Sequence, residues 1–438
     1  MLKHRLLFIL LITLGELMSS SLPKYYEQTL DNGLKIVAIP MENNTGVITT
    51  DIFYNVGSGD EIMGKSGIAH MLEHLNFKST KNLKAGEFDT IVKGFGGVNN
   101  ASTGFDYTHY FIKSSKQNLP KSLELYADLM ENLTLKDEEF QPERDVVAEE
   151  RRWRTDNSPM GYLYFKLFNN TYIYNSYHWT PIGFMSDIQN WTIDDIRSFH
   201  KKYYTPNNAV VVVAGDISKD EVFKYTKKYF AHIKNNTTQK QRDEHNYMVE
   251  PIQDGAKRVI IHKDTQVQML AINFHIPDFK SEDQVALSAI SELLSSGKSS
   301  RLNELLIDKK QLVNTIYSYN MELKKPGVYM ILAVCNPNVD AKDVEKEIWD
   351  ELEKVKNGDI KQSELEKVKV NTKSDFIFSL ESSSSVASLY GSYLSRGDIS
   401  PLMNYEKNID DLKLSTLVEV SKKYFTKENS TTVILKQK

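Results

Sequence analysis

Lys201-Lys202-Tyr203-Tyr204-Thr205, followed by the apolar run Asn208–Ala214 (NAVVVVA), recurs near the end of the chain as Lys422-Lys423-Tyr424-Phe425-Thr426, followed by Thr431–Leu435 (TTVIL). The offset is 221 residues in a chain of 438, so each copy closes one half. Each copy reads as the end of a helix running into a short strand rich in β-branched residues. The first helix opens at Trp191-Thr192-Ile193-Asp194-Asp195, with Thr192 as its N-cap, and stops before Pro206. Outward from there, Leu34–Pro40, Val47–Val56 and Asp106–Lys113 read as strands. Lys121–Leu133 and Phe140–Thr155 read as helices. A polar tract from Asn235 to Gly255 interrupts the pattern, and the same grammar then begins again. Strands at Arg258–His262 and Gln268–Ile276 precede a helix at Val285–Leu294, and Tyr329–Cys335 is a further buried strand. The expected fold is α+β: two homologous α/β-roll domains, each a mostly antiparallel sheet flanked by helices. They span 23–234 and 257–438, joined by a linker over 235–256.

Gly67-Ile68-Ala69-His70-Met71-Leu72-Glu73-His74-Leu75 is where the two halves part ways. Ile68, Met71, Leu72 and Leu75 form an apolar stripe at helical spacing. His70 and His74 are four apart and share the other face, one turn above the other, with Glu73 at its edge. Two imidazoles so placed can grip one metal ion, and the carboxylate beside them can take a proton from water. The order is H-x-x-E-H, the inverse of the commoner H-E-x-x-H zinc signature. Nearly the same offset sets this segment against Ala289-Ile290-Ser291-Glu292-Leu293, which keeps the glutamate and has neither imidazole. One half is expected to carry the metal site and the other to have lost it.

Residues 1–22 read as a secretory signal peptide. Lys3, His4 and Arg5 are basic, Leu6–Leu14 is apolar apart from Thr13, and Ser19-Ser20-Ser21 offers small residues for cleavage. The mature chain is expected to have no membrane anchor, since no later stretch approaches 18 consecutive apolar residues. The whole chain's net charge of −4, with the signs interspersed, gives no basic footprint for nucleic acid. A single cysteine, Cys335, permits no internal disulfide. An exported protein without disulfides fits a bacterial periplasm.

A catalytic zinc site takes three protein ligands and keeps a fourth position for water. Glu143 and Glu150 lie seven apart in Glu143-Arg144-Asp145-Val146-Val147-Ala148-Glu149-Glu150, on one helical face shared with Val146 and Val147. Alone, such a run is more simply a solvated acidic and basic helix surface. With it in place the chain resembles the pitrilysin/insulysin family of inverzincin metallopeptidases, in particular the mitochondrial-processing-peptidase-like bacterial branch. That family pairs H-x-x-E-H with E-x(6)-E about 75 residues later, and here Glu150 follows His74 by 76. Two further stretches share in the resemblance: Gly96-Gly97-x-x-Asn100-Ala101-x-Thr103 before Asp106-x-Thr108-x-Tyr110, and Tyr203-Tyr204-x-Pro206-x-Asn208. The resemblance implies one Zn2+ per chain held by His70, His74 and Glu150, with Glu73 as general base and Glu143 supporting the site. It also implies a peptide substrate that lies along an edge strand at Asn100 and Ala101. His200 reads as a surface residue outside the ligand set.

One family feature is missing. Relatives carry an Arg and a Tyr seven apart in the second domain, to which the resemblance assigns the grip on the substrate carbonyl and the developing oxyanion. Here Ile307 and Asn314 stand in those places. Loss of an oxyanion donor typically costs about 100- to 1,000-fold in rate. Half-length relatives assemble from two subunits, so the expected partner is a homologous subunit that carries the Arg/Tyr pair, with a homodimer as the alternative. A non-catalytic assembly or chaperone-like subunit of the same fold is the competing function. A structural zinc site is disfavoured, because such sites are usually four-ligand and rich in cysteine.

Overall fold

The computed structural model describes residues 20–243 and 248–438. The expected leader therefore lies outside the described residues except for Ser20, Ser21 and Leu22, as do residues 244–247 of the expected linker. No helix among the described residues is long and apolar enough to cross a membrane.

The first half holds strands β1 (Tyr26–Thr29), β2 (Lys35–Pro40), β3 (Val47–Tyr54), β4 (Val98–Thr103), β5 (Thr108–Ser115) and β6 (Ala209–Gly215). They form one sheet in the order β1-β2-β6-β3-β5-β4. The second half holds β7 (Lys257–Lys263), β8 (Met269–His275), β9 (Val313–Met321), β10 (Val328–Cys335) and β11 (Ser430–Gln437), ordered β7-β11-β8-β10-β9. In each sheet a single parallel pair, β2/β6 or β7/β11, sits among antiparallel ladders. The second sheet thus repeats five strands of the first in the same spatial order. The strands after the two lysine-tyrosine motifs, β6 and β11, occupy equivalent places.

β6 explains why Asn208–Ala214 is apolar without alternation. A strand buried on both faces has no polar side to show, and every residue of β6 is buried. One face packs on the first half's own helices. The other is covered by a helix from the second half. Six helices carry the argument: α1 (Ile68–Asn76), α2 (Asp137–Arg151), α3 (Pro159–Thr171), α4 (Asp283–Ser295), α5 (Gln362–Ser379) and α6 (Ser383–Arg396). Val386, Ala387 and Tyr390 of α6 pack on Val37, Phe53, Val210 and Val212 of the first sheet. Reciprocally, Leu163 and Leu167 of α3 pack on Ala271, Leu332, Val433 and Leu435 of the second. Each half lends the other a helix. Gly391 lets α6 come close, since a Cβ there would stand 2.0 Å from the Phe53 ring. Polar contacts tighten the same junction: Thr49 Oγ1 and Ser383 Oγ are 2.8 Å apart, and Ser21 N donates to Glu406 at 2.8 Å.

The tract after Asn235 is partly anchored. Arg242 is buried against Asn207, and Glu250 accepts from the backbone N–H groups of Ile173, Tyr174 and Asn175. Thr192 caps its helix with a full capping box, and Cys335 is buried in β10. Two readings need correction. The helix expected over Phe140–Thr155 is α-helical only to Arg151 and continues as a π turn, Arg152–Asp156. His200 is half-buried rather than a free surface residue: its Nε2 is buried without a hydrogen-bond partner among the described residues, its ring tilts against Tyr204, and burial pushes its pKa down to about 4.

Candidate metal centre

α1 begins where its sequence allows it to. Gly67 takes the left-handed conformation at φ 85°, and a Cβ there would stand 2.7 Å from the carbonyl oxygen of Ile182. Glycine is the residue that tolerates both demands. The first turn leaves backbone donors unpaired. Glu61 answers them, accepting from Gly67 N and Ala69 N at 2.8 Å each and from Trp179 Nε1 at 2.7 Å. Ile68, Met71, Leu72 and Leu75 are buried in the first core, as the stripe predicts. His70, Glu73 and His74 are left on the face turned towards α2 and β4.

There the three candidate ligands meet. One donor atom each from His70, His74 and Glu150 lies within 4.8 Å of the other two. His74 Nε2 is 3.3 Å and His70 Nε2 3.8 Å from Glu150 Oε2. Donors about 2.0–2.1 Å from a tetrahedral zinc stand roughly 3.3 Å from each other, so the trio fits the ion with little adjustment. The second nitrogens matter as well. His74 Nδ1 lies 2.8 Å from Glu143 Oε1, which fixes the proton on Nδ1 and turns the lone pair of Nε2 inward. His70 Nδ1 is buried with no partner among the described residues. Glu143 and Glu150 lie seven positions apart, and α2 delivers both to one imidazole.

The electrostatics separate the two histidines. Burial, then the neighbouring His74, pushes the His70 pKa down to about 4. Burial also works against a charge on His74, but hydrogen bonds to Glu143 and Glu150 outweigh it and push its pKa up to about 9. Glu150 is held below the usual carboxylate range by its hydrogen bond to His74. Burial acts to raise Glu143, yet His74 and Lys78 bring it below that range too. Glu73 moves the other way: burial raises it, against a hydrogen bond donated by Thr103 Oγ1 to its Oε2.

β4 is the outer strand of its sheet, and among the described strands it is hydrogen-bonded only to β5. A cleft of about 430 Å³ beside it is lined by Glu73, His74, Lys78, Asn99, Asn100 and Glu143, among others. Asn100 therefore lines the same cleft as Glu73 and His74, although its Oδ1 already accepts from Ala101 N at 2.9 Å. Ala101 packs half-buried against the first core.

Three residues at the centre were not singled out from sequence. Lys78 Nζ is 2.6 Å from Glu143 Oε2, and Arg154 Nε is 3.0 Å from Glu150 Oε1. Thr103 had figured only as part of a family match. Lys78 lies four residues after His74 and Arg154 four after Glu150, a same-face spacing that was there to be seen. Neither position aligned with the missing pair restores it. Ile307 packs half-buried on the second core, and Asn314 is exposed on β9. Arg301 is committed to Glu351 and Glu364.

Comparison with known proteins places this geometry. The family model described as "Insulinase (Peptidase family M16)" matches residues 36–177, and "Peptidase M16 inactive domain" matches 190–371. The chain is 56% identical over 431 residues to the zinc protease PqqE of Helicobacter pylori, covering 98% of this chain and 97% of that one. It is 24% identical to the probable mitochondrial-processing peptidase subunit beta of Arabidopsis thaliana, over 92% of this chain and 77% of that one. Among solved structures, a protease from Helicobacter pylori superposes with a TM-score of 0.93 at 56% identity, covering 95% of this chain and all of the other. The periplasmic protease PqqL of Escherichia coli superposes at 0.77 and 19% identity; 94% of this chain matches 47% of that one.

Proposed function

Because the chain belongs to the M16 family of insulinase-type peptidases, in its mitochondrial-processing-peptidase-like branch, and is a zinc protease by that kinship, we propose that it is an endopeptidase of unfolded peptides. One zinc ion per chain is held by His70, His74 and Glu150, and Glu73 is the general base. The observation that carries this reading is the convergence of three donor atoms within 4.8 Å, with the Glu73 carboxylate beside them and an open sheet edge alongside.

When bound, zinc supplies Lewis acidity, lowering the pKa of water towards ~7 and polarising a carbonyl oxygen. The chain's own residues do the rest. Glu73, raised by burial, accepts the proton of the attacking water and returns it to the amine as the C–N bond breaks. Thr103 occupies Glu73 Oε2 and leaves Oε1 without a partner among the described residues. β4 takes the substrate as an added antiparallel or parallel strand through main-chain hydrogen bonds, which suits extended peptides of varied sequence. Asn100 and Ala101 are the contact points. Glu143 orients His74.

The missing Arg/Tyr pair comes from a homologous partner subunit, a reading supported by Ile307 being used for packing and by the half-length match to PqqL. The leader pattern supports export, most simply to a bacterial periplasm. Zinc content and cleavage of a mixed library of unstructured peptides, measured on the same preparation, test the proposal. Zinc with chelator-sensitive cleavage that Glu73→Gln removes supports it. Zinc without cleavage sends the search to a co-purifying subunit bearing Arg and Tyr, whose addition must restore activity. A protein that binds no zinc overturns it.

A further inference from the structure

The residues after Glu150 behave unlike an ordinary helix end. A π turn over Arg152–Asp156 follows α2 directly, and such turns cluster at functional sites. This one is held hard. Arg151 is buried, its guanidinium 3.9 Å from the Phe165 ring and paired with Asp156. Thr155 is buried, Asn157 N closes the turn on Arg152 O at 2.7 Å, and Lys263 of the second half donates to Asp156 O. Gly161 presses so close that a Cβ there would stand 1.9 Å from the carbonyl oxygen of Arg154. On this rigid backbone two side chains point outward. Trp153 is 73% exposed, and the side chain of Arg154 is 63% exposed.

The Arg154 guanidinium lies 6.0 Å from the centre of the Trp153 ring, so the two side chains form one exposed patch. The chain's three other tryptophans, Trp179, Trp191 and Trp349, are buried, which is where so large an apolar side chain ordinarily lies. Arg154 spends Nε on Glu150 Oε1, while Nη1 and Nη2 have no partner among the described residues. Arg152, by contrast, is paired with Glu149. A guanidinium edge with two free donor groups takes a carboxylate in a bidentate grip. An exposed indole takes an apolar or aromatic side chain. Both stand within one turn of a candidate metal ligand, on a scaffold stiff enough to read geometry.

Resting on the peptidase reading above, we propose that Trp153 and Arg154 form the specificity subsite of this centre. Its substrates are peptides in which a bulky apolar residue beside the scissile bond is flanked by an acidic one: the indole covers the apolar side chain, and the free edge of Arg154 holds the carboxylate.

Zinc-loaded Glu73→Gln protein, which binds without turnover, is titrated with fluorescently labelled unstructured peptides. The peptides differ only in carrying Asp or Lys next to a central Leu, and binding is read by anisotropy. The Asp peptide is expected to bind at least tenfold more tightly. Arg154→Gln, added to Glu73→Gln, erases the difference, and Arg154→Glu inverts it. Trp153→Ala weakens both peptides equally, and Trp153→Phe restores most of the loss. Zinc content, measured on every variant, separates a subsite from damage to the metal centre. Equal affinity for both peptides, or a preference that survives Arg154→Gln at full zinc occupancy, overturns the subsite and leaves the peptidase reading intact. No binding of either peptide at full zinc occupancy overturns the subsite, and the absence of cleavage by the Glu73-bearing protein even with an Arg/Tyr-bearing partner subunit added overturns the peptidase reading as well.

Discussion

Lys78 Nζ lies 2.6 Å from Glu143 Oε2, while the other oxygen of that carboxylate lies 2.8 Å from His74 Nδ1. The lysine stands two residues past the end of α1, so the helix presents the imidazole and the bend that follows it clamps the carboxylate that orients it. Partners of this kind typically contribute 10- to 100-fold in metal affinity. Glu143→Gln is expected to weaken zinc binding by about that factor. Lys78→Met should weaken it by less, roughly threefold to tenfold, since Glu143 keeps its bond to His74. Competition against a chromophoric chelator reads both values; a Glu143→Gln protein with unchanged affinity would show that the contact does not orient the ligand.

The same contacts make zinc binding depend on pH. With its pKa pushed up to about 9, His74 is protonated at pH 7 in the metal-free protein, whereas His70, at about 4, is neutral. A metal ligand must be deprotonated, so zinc displaces one proton, from His74. Apparent affinity should rise about tenfold per pH unit between 7 and 9 and level off above. Calorimetry in buffers of different ionisation heat should count close to one proton released at pH 7 and fewer at pH 9.5. Stability of the metal-free fold follows the opposite course. A histidine whose folded pKa exceeds its ordinary 6.5 contributes fully below 6.5 and loses that contribution as pH rises through about 9. The melting temperature of the metal-free protein should therefore drift down across that window.

Thr103 is the residue that positions the proposed base. Its hydroxyl donates to Glu73 Oε2 and so favours the ionised carboxylate, against the burial that disfavours it. Thr103→Val keeps the side-chain shape and deletes the donor. Glu73 should then ionise at higher pH, moving the acidic limb of the kcat/KM profile upward and lowering activity near neutrality by about tenfold, with zinc content unchanged. A profile that keeps its shape while only the amplitude falls would place the role of Thr103 in β4 rather than on Glu73.

Much of this was readable from sequence because it rests on local periodicity. The i, i+4 histidines, the seven-residue glutamate spacing and the doubled lysine-tyrosine motif each depend on one element's geometry, and each stands where its spacing places it. Lys78, Thr103 and Arg154 escaped notice for different reasons. Thr103 meets Glu73 across a strand-to-helix contact that no spacing encodes. Arg154 is a helical neighbour of Glu150 and Lys78 stands in the bend just past α1, but charged residues four from a named residue are ordinarily solvated surface. His200, between Phe199 and Lys201, is half-buried because its ring tilts against Tyr204, a contact its own spacing does not announce. The helix exchange was invisible as well. α3 and α6 are apolar enough to be core helices, and nothing in their sequence says whose sheet they cover.

That exchange predicts coupling between the halves. Gly391 of α6 lies against Phe53 of β3, where an added methyl would stand 2.0 Å from the ring, and Phe53 is fully buried with no room to swing away. Gly391→Ala is expected to cost about 1–3 kcal/mol, in the range of core overpacking, and to lower the melting temperature by several degrees. Phe53→Leu removes the offending edge at its own cost in buried surface. Residues in direct contact depart from additivity, so Gly391→Ala combined with Phe53→Leu should destabilise by clearly less than the sum of the two single changes. Helix and strand come from opposite halves of the chain, and each half's sheet is closed by the other's helix. Calorimetric unfolding should accordingly stay a single transition in all four proteins. Two separated transitions, with Gly391→Ala shifting only one of them, would mean that the halves fold independently and that α6 is not needed to cover the first sheet.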